Sequence, residues 1–198
     1  MKFVLASNNA GKIREMKELL DDLNVEVISQ KEAGFFDDVE ETGSTFEENA
    51  EIKARAAHEA LGLAVIADDS GLMVDSLNGE PGVYSARYTG NHDDSDEDRY
   101  LFLLKKMEGI QDRSARFVCS ICCVMPDGKK ITSEGICEGE ILCAPQGKGG
   151  FGYDPVFRPL GFDQSMAELG DIKQRISHRS KALAQLKEKL EESINGAN

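Results

Sequence analysis

The chain has 198 residues, a formal net charge of −13, 40% hydrophobic and 30% charged residues. That balance describes a globular domain rather than a disordered segment, and no run approaches the roughly 20 apolar residues of a membrane span. The acidic excess argues against stable binding to nucleic-acid backbone, while a small phosphorylated ligand needs only a few cations gathered in one pocket.

In chain order, residues 2–6 read as an opening strand, too short an apolar run for a signal peptide and suited to a cytoplasmic protein. The turn Ser7-Asn8-Asn9-Ala10-Gly11-Lys12 follows, then a helical pattern with Ile13, Met16, Leu19 and Leu20 on one face. Such a turn presents backbone N–H groups at the positive end of a helix, where an anion is stabilised. Lys12 adds a mobile charge, and the Walker spacing is absent. A second strand spans 25–29. The acidic segment 34–43 reads as a loop, and Thr45-Phe46-Glu47-Glu48 is a capping box opening a helix that runs to Gly62.

Residues 62–67 form a short apolar run with a β-branched pair, the pattern of a buried strand. The pair Asp68-Asp69 arrives where that strand is expected to end, and Ser70-Gly71 suits a tight turn. Charge at the mouth of a buried strand needs a partner, and a hard divalent cation prefers oxygen ligands. A solvated turn is the plainer alternative. Residues 72–77 read as another extended piece. The loop 78–90 follows, in which Tyr84, Arg87 and Tyr88 either line a pocket or pack an interface. Ser95 caps the next helix, with Asp96, Glu97 and Asp98 in its first turn.

Runs at 115–125 and 130–138 flank Pro126-Asp127-Gly128-Lys129, a hairpin signal. The first run contains Cys119 and Cys122, whose spacing resembles a metal or redox pair. Side chains alternate faces along a strand, so the two point to opposite sides and read as core residues. Five cysteines, an odd count, do not form a disulfide framework. The loop Pro145-Gln146-Gly147-Lys148-Gly149-Gly150-Phe151-Gly152-Tyr153-Asp154-Pro155 surrounds a Lys and two aromatics with glycine. Glycine lets backbone approach a ligand, and an aromatic ring offers a base a stacking surface. Lastly, Ser177 caps a C-terminal helix that opens on His178 and Arg179. Cations there oppose the helix dipole, which implies a compensating anion.

Five separated motifs fit one pattern: Ser7 to Lys12, Thr45-Phe46-Glu47-Glu48-Asn49-Ala50, Ala67-Asp68-Asp69-Ser70-Gly71-Leu72, Phe151-Gly152-Tyr153-Asp154-Pro155 and Ile176-Ser177-His178-Arg179. Together they resemble the inosine triphosphate pyrophosphatase (Ham1-like) family, and within it the bacterial dITP/XTP branch. The resemblance implies a single α/β domain over 1–198. Its fold would be an elongated mixed β-sheet with flanking helices, in two lobes around a central active-site cleft. It implies Mg²⁺-dependent cleavage of purine nucleoside triphosphates such as XTP, ITP and dITP into monophosphate and pyrophosphate, by a homodimer.

Carried over onto these positions, Ser7, Asn8, Asn9, Ala10, Gly11 and Lys12 bind phosphates. Glu40 and Asp69 hold Mg²⁺, with Glu41 and Asp68 close by. Asp69 accepts the proton and Ser70 contacts substrate. Phe151, Gly152, Tyr153, Asp154, Lys173, His178 and Arg179 bind the nucleotide, the last two reading the base. Between Glu168-Leu169 and Ile176 the chain departs from the family pattern, with Gly170-Asp171-Ile172 before Lys173 instead of an acidic pair. The rival readings are a Maf-type pyrophosphatase for modified nucleotides and a nucleotide-binding sensor without turnover.

Overall fold

The computed structural model describes residues 2–7, 10–21, 25–91 and 93–195. Six strands form one mixed sheet: β1 (Lys2–Leu5), β2 (Glu26–Ser29), β3 (Ala64–Val74), β4 (Ser114–Val124), β5 (Lys130–Ile141) and β6 (Phe157–Pro159), in the order β2-β1-β3-β4-β5-β6. β1 is parallel to both β2 and β3, with Val4 opposite Ile28 and Val65, whereas β5 and β6 are antiparallel. The helices are α1 (Ala10–Leu20), α2 (Phe46–Leu61), α3 (Asp96–Lys106), α4 (Lys173–Ile176) and α5 (His178–Asn195). Among the described residues no helix is long and apolar enough to cross a membrane.

The chain divides into two compact units, the first made of 1–69, 119–135 and 179–198, the second of 70–118 and 136–178. In the first, strand alternation sorts the core into two layers. Phe3 and Leu5 of β1, Ala64 and Ile66 of β3, and Cys119, Ile121 and Cys123 of β4 pack with Met16 and Leu20 of α1 and Leu183 and Leu186 of α5. The intervening residues, Val4, Val65, Ala67, Cys122 and Val124, pack with Ala50, Ala54 and Ala57 of α2. Cys119 and Cys122 thus lie in different layers, as alternation requires. Burial pushes the thiols of Cys119 and Cys123 up to about 12 and that of Cys122 to about 11, so these act as apolar core groups. The second unit has its own core, built on Leu72, Val74, Leu103, Phe117, Val156 and Phe157.

Local signals set several boundaries. Thr45 and Glu48 form the reciprocal capping box, and Gly62 ends α2 in the left-handed region with φ 67°. Ser95 and Asp98 cap α3 in the same way. Between β4 and β5 the turn closes with Gly128 N–H donating to the Met125 carbonyl at 2.8 Å. Two expectations are corrected. α1 begins at Ala10, so Ala10, Gly11 and Lys12 belong to the helix and not to the turn before it. β3 does not end at Ala67; it continues through Asp68-Asp69-Ser70-Gly71 to Val74, and residues 75–77 form a 3₁₀ turn. Turn propensity at those four residues is overridden because the strand is an interior one, between β1 and β4.

Candidate active site

Because β3 runs on, Asp68 and Asp69 are adjacent strand residues and their side chains leave on opposite faces. Asp68 continues the Ala64–Ile66 row, toward α1 and α5; Asp69 continues the Val65–Ala67 row, toward α2. Both are buried, at 2% and 8% exposure. This decides their chemistry, because each meets a different set of partners.

On its face Asp68 meets cations. Its Oδ2 lies 2.8 Å from Lys12 Nζ of α1 and 3.6 Å from Arg179 Nε of α5. Burial alone would raise its pKa, but Lys12, Arg179 and Lys53 outweigh that and hold the carboxyl well below the usual carboxylate range. The anion expected at the start of α5 is therefore in part supplied by the protein itself.

Asp69 faces α2. Asn49, fully buried, donates from Nδ2 to Asp69 Oδ2 at 3.1 Å and accepts from Gly43 N–H at 2.8 Å, tying the acidic loop to the carboxylate. One turn further along α2, Lys53 Nζ lies 2.7 Å from Glu41 Oε1 and 3.7 Å from Asp69 Oδ1. Burial raises the Asp69 pKa; Lys53 and the Asn49 bond oppose this, and Glu41 reinforces it, leaving the pKa above the ordinary value. Lys53 itself is moved down by desolvation but more strongly up by Asp69, Asp68 and Glu41, so it stays charged. Two neighbouring carboxyls with divided titration are the pattern of an acid–base site.

The second unit holds a separate cluster. Asp154, 3% exposed, accepts from Phe151 N–H at 2.9 Å and from Lys173 Nζ at 2.6 Å. Lys173 Nζ also sits 4.3 Å from the centre of the Phe151 ring, and that ring is 41% exposed. Gly150 has φ 75°, in the left-handed region, and a Cβ there would run into the Asp154 carboxylate, so this position requires glycine. Tyr153 is buried, with its hydroxyl donating to the Ser85 carbonyl at 2.8 Å. His178 is buried and stacks on Phe117, ring centres 4.9 Å apart and planes 14° apart.

The model of the Ham1 family matches residues 3–189. The chain belongs to the Ham1 family. Among its relatives, the dITP/XTP pyrophosphatase of Staphylococcus epidermidis is 51% identical over 189 residues, covering 95% of each chain. The dITP/XTP pyrophosphatase of Bacillus subtilis is 47% identical over 191 residues, covering 95% of this chain and 96% of that one. Among solved structures, the Ham1 protein of Staphylococcus aureus superposes with a TM-score of 0.90 at 47% identity, over 98% of this chain and 100% of that one.

Of the residues expected from the Ham1 resemblance, the structure brings Lys12, Asp68, Asp69 and Arg179 together in the first unit, and Phe151, Asp154 and Lys173 in the second. Lys173 reaches Asp154 and Phe151 despite the altered segment before it. Ser7 is half-buried just after β1, Ser70 is half-buried within β3, and Gly152 lies beside Phe151 in the loop. Asn8 and Asn9 lie outside the described residues. Glu40 is exposed on the 34–43 loop, and the carboxylate that reaches the Asp69 group is its neighbour Glu41. Tyr88 packs edge-on against Phe102, whereas Tyr84 is 60% exposed with the Arg87 guanidinium over its ring.

Sequence reasoning missed Lys53 and the bridging role of Asn49. Their signal was present: both fall on the alanine-lined face of α2, four residues apart, where a polar or charged side chain needs a partner.

Among the described residues no three His, Cys, Asp or Glu groups are gathered as a metal cage. The donors that are present still fit a hard cation. Asp69 and Glu41 carry carboxylate oxygens that already share a positive charge, the Lys53 ammonium. A Mg²⁺ bound by one or two carboxylates normally keeps water and takes further oxygens from substrate phosphate.

Proposed function

We propose that the protein is a nucleoside triphosphate pyrophosphatase. It hydrolyses the α–β phosphate bond of the non-canonical purine nucleotides XTP, ITP and dITP, giving monophosphate and pyrophosphate and keeping these bases out of DNA and RNA. The observation that carries the reading is the buried Asp68–Asp69 pair on opposite faces of β3, Asp68 among cations that hold its pKa down and Asp69 with its pKa raised by burial.

Asp69 and the Glu40–Glu41 loop supply oxygen ligands for Mg²⁺, which when bound neutralises phosphate charge and lowers the pKa of water. Asp69, with its raised pKa, accepts the proton of the attacking water. Asp68 remains ionised and pairs with Lys12; Lys12 and the N-terminal turn of α1, with Ser7, Asn8, Asn9, Ala10 and Gly11, bind the phosphates. Lys53 offsets the charge of Glu41 and Asp69. Ser70 contacts substrate. Phe151 offers its exposed ring to the base, and Gly152, Tyr153, Asp154 and Lys173 hold that ring in place.

Donors on His178, Arg179 and the loop backbone favour a purine with an acceptor at position 6. Adenine presents an amine there and leaves two donors opposed, which is costly in a buried site. We further propose that the protein works in the cytoplasm as a homodimer, for which exposed Tyr84, Leu101 and Phe102 provide apolar surface.

Product analysis with ITP, XTP, GTP and ATP, each with and without Mg²⁺, tests the reading. The expected result is monophosphate plus pyrophosphate from ITP and XTP, little turnover of ATP, and none without metal. Orthophosphate as the product, or intact nucleotides throughout, refutes it. Asp69→Asn should lower kcat by about 100-fold or more while the protein still folds, because burial already favours the uncharged side chain. Circular dichroism and kcat together check this; wild-type turnover in the variant removes Asp69 from the chemistry.

A further inference from the structure

The loop that ends in Phe151 is exposed from Cys143 to Phe151, so hydrogen bonds rather than apolar burial set its shape. Two carboxylates hold the two peptide groups that flank Phe151. On the N-terminal side, Asp154 Oδ2 accepts from Phe151 N–H at 2.9 Å. On the C-terminal side, Asp96 Oδ2 accepts from Gly152 N–H at 2.6 Å, across 56 residues of sequence. Fixing both peptide planes fixes both backbone torsions of Phe151, and with them the direction in which the ring leaves the chain.

Asp96 is itself braced. Its Oδ1 accepts from Arg99 Nη2 at 2.5 Å, and Arg99 Nη1 donates to the carbonyls of Asp94 at 2.7 Å and Ala86 at 3.1 Å. Ser95 and the capping box hold Asp96 at the first position of α3. The next loop residue, Tyr153, is tied to the same stretch of chain through the Ser85 carbonyl. A carboxylate on a backbone N–H is shorter and stronger than a neutral acceptor. An ordinary first-turn Asp would interact only with its own helix; this one also faces a distant main chain.

We propose that Asp96, braced by Arg99, is a positioning residue for nucleotide binding. Its carboxylate sets the peptide plane after Phe151 and so the direction in which the Cα–Cβ bond carries the ring toward the base. This rests on the reading of Phe151 as the stacking surface for a purine.

Steady-state kinetics with ITP and Mg²⁺ on the full chain test it, using Asp96→Ala and Asp96→Asn alongside inhibition by pyrophosphate. Pyrophosphate lacks a base and reports the phosphate-binding residues alone. Asp96→Ala should raise KM for ITP about tenfold, the loss of one charge-assisted hydrogen bond. It should leave kcat and the Ki of pyrophosphate within about twofold, the size of a neutral surface change. Asp96→Asn keeps the shape and one acceptor oxygen and should recover part of the loss. An unmoved KM in Asp96→Ala overturns the proposal, as does a Ki for pyrophosphate that rises together with KM. If Asp96→Ala does not fold, Asp96→Asn decides, and a wild-type KM in it is a refutation. Wild-type protein that leaves ITP intact overturns the functional reading and this proposal together; wild-type turnover with unmoved KM in the variants overturns the positioning role alone.

Discussion

Asp68 and Asp69 have the same side chain and adjacent positions, yet their pKa values move in opposite directions. Strand geometry is the cause: a single residue step reverses the face and exchanges Lys12 and Arg179 for Asn49, Lys53 and Glu41. The consequence for stability has a definite sign. Asp68 is depressed on folding, so its contribution is fully present above the unfolded carboxyl pKa of about 4 and is lost as pH falls through the folded value. Replacing it leaves Lys12 and Arg179 facing a neutral group, and breaking a buried ion pair costs about 3 kcal/mol. Urea denaturation of Mg²⁺-free wild type and Asp68→Asn should show a gap of that order at pH 7, and a narrower one at pH 3. A gap that is the same at both values would mean that Asp68 is not ionised by its neighbours.

At the scale of elements, α2 shows how a local signal serves a distant group. Thr45 and Glu48 close the capping box and fix where the helix starts. That start sets which residues meet β3: Ala50, Ala54 and Ala57 keep the approach close, and Asn49 and Lys53 arrive opposite Asp69. Thr45→Ala removes the acceptor for the Glu48 N–H and should cost about 1 kcal/mol. In a chain of this size that lowers Tm by about 2–4 °C, measurable by calorimetry. An unchanged Tm would show that tertiary contacts alone define the helix start. β3 illustrates the opposite case. Asp, Ser and Gly suit a turn, yet they form part of an 11-residue strand. The strand survives because its backbone is paired within the sheet and cations neutralise the charge that enters it.

For the molecule as a whole, the net charge of −13 coexists with a concentrated group of cations around two carboxylates. Long-range repulsion and local attraction are compatible, because screening confines each charge to roughly 8–10 Å at physiological salt. The expected outcome is that the protein does not retain a DNA duplex in a filter-binding assay at physiological salt, while it still turns over a nucleotide triphosphate. Retention at low micromolar protein would contradict this.

The αβ order, the Thr45 capping box, the Ser95 cap, the hairpin turn and the alternation of Cys119 and Cys122 were determined by the sequence, since periodicity, caps and tight turns are carried by residues a few positions apart. The motif residues Lys12, Asp69, Phe151 and Asp154 were legible as candidates from their own local motifs, and Lys173 from the family resemblance. What only the tertiary structure decided was partnership: Asp68 with Lys12 and Arg179, Asp69 with Asn49 and Lys53, and Gly152 with Asp96. Those partners lie on different elements, 16 to 111 positions apart by residue number. Periodicity assigns a side chain to a face, but packing alone chooses what that face meets and therefore in which direction each carboxyl's pKa moves.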